Sequence, residues 1–171
     1  MKKIFFFLLF ISSTIIFAQA KKDERGNLIG YATKSAFLDK QYKAWFELNY
    51  NNYKPDQEIV KKISKQLKDV SVLCFMGTWC GDSKRQTPKF YKIMEQAGFD
   101  FDKSFTLVGV DRYKKTPNNL QKGHNIFRVP TFIFFKRGNE IGRFVEVPRE
   151  TMEKDILTII TGKPYKHSYE K

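Results

Sequence analysis

A chain of 171 residues, 42% hydrophobic and 16% aromatic, holds enough apolar material for the core of one domain of ordinary size. Its formal net charge of +13 could favour anionic partners, but the lysines are scattered in ones and twos, and the densest group, Lys61, Lys62, Lys65 and Lys68, falls on the wet face of a helix; with no recognition motif beside it, a solvated face is the reading and no nucleic-acid partner is expected. Two cysteines are too few to staple an exported domain by disulfides.

The chain opens with Lys2 and Lys3, an apolar run from Ile4 to Phe17, and the small-residue stretch Phe17-Ala18-Gln19-Ala20. This is the pattern of a signal peptide over residues 1–20, and cleavage after Ala18 or after Ala20 would each satisfy it. The alternative is a retained anchor, but the run is shorter than the ~20 residues of a bilayer-spanning helix, and no later segment could span a membrane. No stable membrane insertion is expected once the leader is removed, which takes the charge from +13 to +11. The basic protein is expected to leave the cytoplasm.

Residues 21–34 are polar and read as a mobile lead-in. From Ser35, Leu38, Tyr42, Trp45, Phe46, Asn49 and Tyr53 recur at helical steps until Pro55, so residues 21–55 form an N-terminal extension with one helix. Asp56 caps a second helix with Ile59, Ile63 and Leu67 on one stripe. Val70 to Met76 is a short buried strand, and a helix with Pro88 inside it then runs to about Ala97 and stops at Gly98. Phe105 to Val110 is a second strand, 111–123 a polar connection with room for a short helix, and Thr131 to Phe135 a third strand. Arg137-Gly138-Asn139 turns into a fourth, Ile141 to Val147. Pro148 opens a last helix whose buried stripe is Met152, Ile156, Ile159 and Ile160, ended by Gly162 and Pro164. The order predicts an α/β fold with a central sheet flanked by helices.

Cys74 and Cys80 lie six residues apart in or beside one strand, where no bridge between them can close, so both are free thiols. Cys74, inside the strand, reads as a small core hydrophobe. Cys80 follows the strand and opens a helix, where unpaired backbone N–H groups and the positive end of the helix dipole favour the thiolate. Lys84 and Arg85 reinforce that field and Asp82 opposes it. Two histidines, His124 and His167, are too few and too scattered to build a zinc site with the cysteines, so no metal and no other cofactor is expected.

Trp79-Cys80-Gly81 after a strand, Pro88 eight residues beyond the cysteine, Val129-Pro130-Thr131 opening a later strand and Phe135-Lys136-Arg137-Gly138 before the last one occur in this order and spacing. In this the chain resembles the thioredoxin superfamily, over roughly residues 56 to 162. The resemblance implies a thioredoxin-like domain at 56–171, with Cys80 as the catalytic nucleophile in an active-site loop of Trp79, Gly81, Asp82 and Ser83. It also implies a cis Pro130 facing the cysteine, with Val129, Pro130 and Thr131 as the substrate platform. Trp79 is either part of the rim beside the sulfur or a core aromatic.

Two positions depart from the family. Ser83 stands where the dithiol motif has its second cysteine, and Cys74 stands where many thioredoxins carry a buried acid. Ser83 either hydrogen-bonds the Cys80 sulfur or caps the helix. A monothiol of this kind attacks a disulfide and is released by an external thiol reductant, the chemistry of a reductase or an isomerase. Its partners would be exported proteins with disulfides or free thiols, and the leader together with this resemblance points to a periplasmic or secreted protein. A redox-inactive thioredoxin-fold binding or chaperone-like module, and a carrier of iron and sulfur like the monothiol glutaredoxins, are the other readings.

Overall fold

The sheet begins earlier than the composition suggests. In the computed structural model, which describes residues 21–170, Lys21–Lys22 (β1) pairs antiparallel with Leu28–Ala32 (β2) inside the expected lead-in. The expected leader, residues 1–20, lies outside the described residues. A 3₁₀ turn over Lys34–Leu38 follows, then Lys40–Asn52 (α1) and Gln57–Ser64 (α2). The expected helix through Leu38 is therefore broken at Asp39, whose carboxylate accepts the Gln41 N–H at 3.0 Å and restarts the chain as α1. Leu38 is left 69% exposed, while Tyr42 and Phe46 face inward.

Val70–Met76 (β3) is followed by Gly81–Gln96 (α3), Phe101–Ser104 (α4) and Phe105–Gly109 (β4). Thr131–Lys136 (β5) and Asn139–Val145 (β6) form a hairpin, its turn made by Arg137 and Gly138 at positive φ, and Met152–Ile160 (α5) closes the fold. The strand order is β1-β2-β4-β3-β5-β6, with β3 and β4 parallel and the other pairs antiparallel. The mixed sheet flanked by helices is the expected fold class. β2 joins it only because Gly109 has no side chain: a Cβ there would stand 2.3 Å from the Leu28 carbonyl oxygen.

Alternation along β3 divides the core. Val70, Val72, Cys74 and Met76 face the helices, where Phe90 of α3 stacks on Phe132 at 4.3 Å and Phe46 of α1 meets Tyr91 at 5.8 Å. Phe75 faces the other way, into a smaller cluster with Val108, Ile133 and Val129. The chain over 111–123, expected to leave room for a short helix, forms turns alone.

The start of α5 also differs from expectation. Pro148 lies in the loop before it, Thr151 provides the cap to Lys154 N–H at 3.4 Å, and the Asp155 carboxylate takes the Arg149 N–H at 2.7 Å. Those two side chains fold residues 148–150 back against the helix instead of into it. Glu153, only 4% exposed, accepts hydrogen bonds from the Tyr53 hydroxyl and, at 3.2 Å, from the Asp56 N–H, tying α5 to the junction of α1 and α2. Burial, then the bond to Glu153, pushes the Tyr53 hydroxyl well above its ordinary value.

Candidate functional site

The end of β3 delivers Cys80 to the surface. After Met76 the chain turns, the Cys80 N–H donating to the Gly77 carbonyl at 2.9 Å, and Cys80 becomes the residue that caps α3. It has extended geometry and no side-chain cap bond, so its sulfur is half-buried and uncommitted to the helix. Instead the thiol donates to the Val129 carbonyl at 3.1 Å, at a Val129–Pro130 peptide bond that is cis. Thr131 closes that loop by donating its hydroxyl to the Arg128 carbonyl at 2.8 Å. The expected thiol and the expected platform therefore meet, although they are about fifty residues apart in the chain.

Trp79 serves both readings that the sequence leaves open. Its ring packs with the smaller cluster, its indole N–H donates to the Val110 carbonyl at 2.8 Å, and one flank stays open beside Cys80. Gly77 makes room for it, since a Cβ at Gly77 would lie 2.5 Å from the indole. The Arg112 guanidinium stands 5.5 Å from the ring centre, a cation–π contact that no spacing in the sequence signals.

Ser83 touches neither the sulfur nor the helix start in the expected way. It is fully buried, and its hydroxyl accepts the Gly77 N–H at 3.2 Å. A group that reads as an aid to Cys80 in fact fixes the turn that carries Cys80. Asp82 pairs with Arg85, so those two charges offset each other at the exposed start of α3, and Lys84 is the cation left there without a salt bridge among the described residues. Cys74 lies at the sheet centre between Leu107 and Phe132, fully buried, and burial pushes its thiol well above the ordinary range. It has no path to Cys80 without a broken sheet.

The far wall of the site comes from residues outside the expected set. The Glu146 N–H donates to the Pro130 carbonyl at 2.8 Å, and its carboxylate takes Arg128 at 3.0 Å and the Tyr169 hydroxyl. Arg128 also lies 4.2 Å over the Tyr169 ring. Only the fold brings β6, the chain end and the proline loop together, so no local signal marks them. Among the described residues no three His, Cys, Asp or Glu side chains gather as a metal ion requires, and no helix is long and apolar enough to cross a membrane.

Comparison with known proteins gives this geometry a family. A family model described as thioredoxin matches residues 32–158. A thioredoxin-like protein of Acanthamoeba polyphaga mimivirus is 28% identical over 95 residues, covering 56% of this chain and 66% of that protein. A thioredoxin of Arabidopsis thaliana is 30% identical over 95 residues, covering 56% of this chain and 63% of its own length. The chain thus spans less than two thirds of the length of either relative. A solved Pseudomonas aeruginosa protein of unknown function shares the fold, with a TM-score of 0.57 at 15% identity over 78% of this chain and 93% of that one.

Proposed function

The chain belongs to the thioredoxin family, and from that premise we propose that it is an exported thiol-disulfide exchange protein that works through Cys80 alone. One observation carries the reading: the half-buried Cys80 thiol opens α3 and meets the Val129 carbonyl at the cis Val129–Pro130 bond, while Cys74 is sealed in the sheet. The Cys80 thiolate attacks one sulfur of a client disulfide, the client S–S bond breaks, and the departing client thiolate takes up a proton. The new mixed disulfide has no neighbouring thiol to resolve it, because Ser83 stands in that place.

Release then comes from outside. If another thiol of the client attacks, Cys80 is regenerated with no net change of redox state, as in an isomerase. If two molecules of an external thiol reductant act in turn, they leave as one disulfide and the client gains two electrons. The leader-like pattern of residues 1–20 supports a periplasmic or secreted setting, where the clients would be exported proteins with disulfides or free thiols.

Insulin reduction and refolding of scrambled ribonuclease, each in the presence of a low-molecular-weight thiol, test the proposal with wild type and Cys80→Ser. Activity present in wild type and lost in Cys80→Ser is expected. Equal effects of the two proteins would replace exchange chemistry by a binding module on the same fold.

A further inference from the structure

Two recesses, with volumes of about 250 and 480 Å³, share Arg25, Asn27 and Arg112, and Trp79 lines the smaller of them. Together they form one open trough. The first is lined by Trp79, the residue before Cys80, and by Lys84, one helical turn after it, so the trough begins at the chain neighbours of the reactive residue. The second continues away from it to Lys115 and Pro117.

The charge inside the trough is uneven. Arg25, Lys84, Arg112 and Lys115 line it, and none of the four makes a salt bridge among the described residues. Its two carboxylates keep their charge, which leaves the lining with a net charge of +2, and both are held in their own loops by backbone N–H groups. Asp23 accepts the Arg25 and Asn27 N–H groups at 2.9 and 2.7 Å, and Asp111 accepts those of Tyr113 and Lys115, both at 2.8 Å. Arg85, by contrast, is neutralised by Asp82 outside the trough. Cations on a helix face are ordinarily solvated, but these converge from two loops and a helix on one concavity whose wall is an aromatic ring.

We propose that this trough docks an acidic segment of the client polypeptide next to the cysteine that Cys80 attacks. The inference rests on the exchange reading above and adds a substrate class to it: a disulfide whose cysteine has Asp or Glu close to it in sequence. The open, extended shape suits a stretch of chain, the unpaired cations suit its carboxylates, and the Trp79 face suits the apolar stems between them.

Two peptides test this, each holding its cysteine as a disulfide with the neutral leaving group 2-thiopyridine and differing only in flanking Glu against Gln. Cys80 displaces thiopyridone, whose absorbance gives the second-order rate. Wild type is expected to react about tenfold faster with the Glu peptide at low salt. That ratio should fall toward one in Arg25→Gln/Arg112→Gln and persist in Lys62→Gln/Lys65→Gln, which removes the same charge from the exposed last turn and end of α2.

Equal rates of wild type with the two peptides, or an equal fall in the remote variant, overturn the trough. Arg25→Gln alone, which leaves the Trp79 contact intact, must carry part of the effect, and the alkylation rate of Cys80 by neutral iodoacetamide separates a damaged thiol from a lost docking site. Failure of both peptides to react with folded wild type would instead remove the exchange reading, and the trough with it.

Discussion

Replacement of Ser83 by alanine removes a hydroxyl that is fully buried and accepts the equally buried Gly77 N–H. No other acceptor is bonded to that N–H, and the vacated space is only one oxygen wide, too small to admit water usefully. Leaving a buried backbone donor unpaired costs about 1–3 kcal/mol. For a domain of this size that corresponds to a fall in Tm of about 2–12 °C. Urea unfolding under reducing conditions reads it as a lower midpoint at constant m. Ser83→Cys sharpens the test. Reduced, its sulfur is a weaker acceptor and the variant should lie between alanine and wild type. Oxidised, with the Cys80 thiol consumed, closing the short loop should restore about 2 kcal/mol. A Ser83→Ala midpoint equivalent to within about 0.5 kcal/mol of wild type would refute the role given to Ser83.

Other consequences are measurable on the same protein. Iodoacetamide should label Cys80 in the folded state and Cys74 only after unfolding, as mass spectrometry would show; rapid labelling of native Cys74 would contradict its burial. Phe132→Ala, which removes the ring stacked 4.3 Å from Phe90 and lying opposite Cys74 on the neighbouring strand, should cost about 3–5 kcal/mol and make Cys74 reactive. His167, 6% exposed, has its imidazole pushed below the ordinary 6.5 by burial, so the unfolded chain binds a proton that the folded chain refuses. Stability should therefore rise with pH up to about 6.5 and fall on acidification below it. His167→Gln should flatten that part of the urea midpoint against pH.

The elements that hydrophobic patterning describes were legible before the structure: β3, β4, the hairpin and the buried stripe of α5 all lie where apolar residues of the right period stand. β2 was not, because only Leu28 and Ile29 in it are buried and its pairing depends on the bare backbone of Gly109, a contact with no local signature. The capping errors share one cause. Leu38 and Pro148 resemble helix residues by position, but the Asp39 and Thr151 side chains accept the Gln41 and Lys154 N–H groups, which a helix begun earlier would give to backbone carbonyls. At the site, Cys80, Trp79 and Pro130 were readable from order and spacing. Arg112 over Trp79, Glu146 behind Pro130 and the bond from Gly77 to Ser83 were not, since each depends on where a loop or strand end comes to rest.

The bond between Glu153 and the Tyr53–Asp56 segment joins positions about a hundred residues apart, and the helix that carries it also supplies Ile156, Ile159 and Ile160 to the core. During synthesis, then, the part of the sheet under α5 stays uncovered until residues 152–160 exist. A nascent chain that has reached Val145 has every strand but lacks the helix that packs against Gly142, where a Cβ would lie 3.0 Å from Ile159. Closure of that face thus waits on an element made after every described strand, and until then the sheet stays open to whatever machinery handles the growing chain.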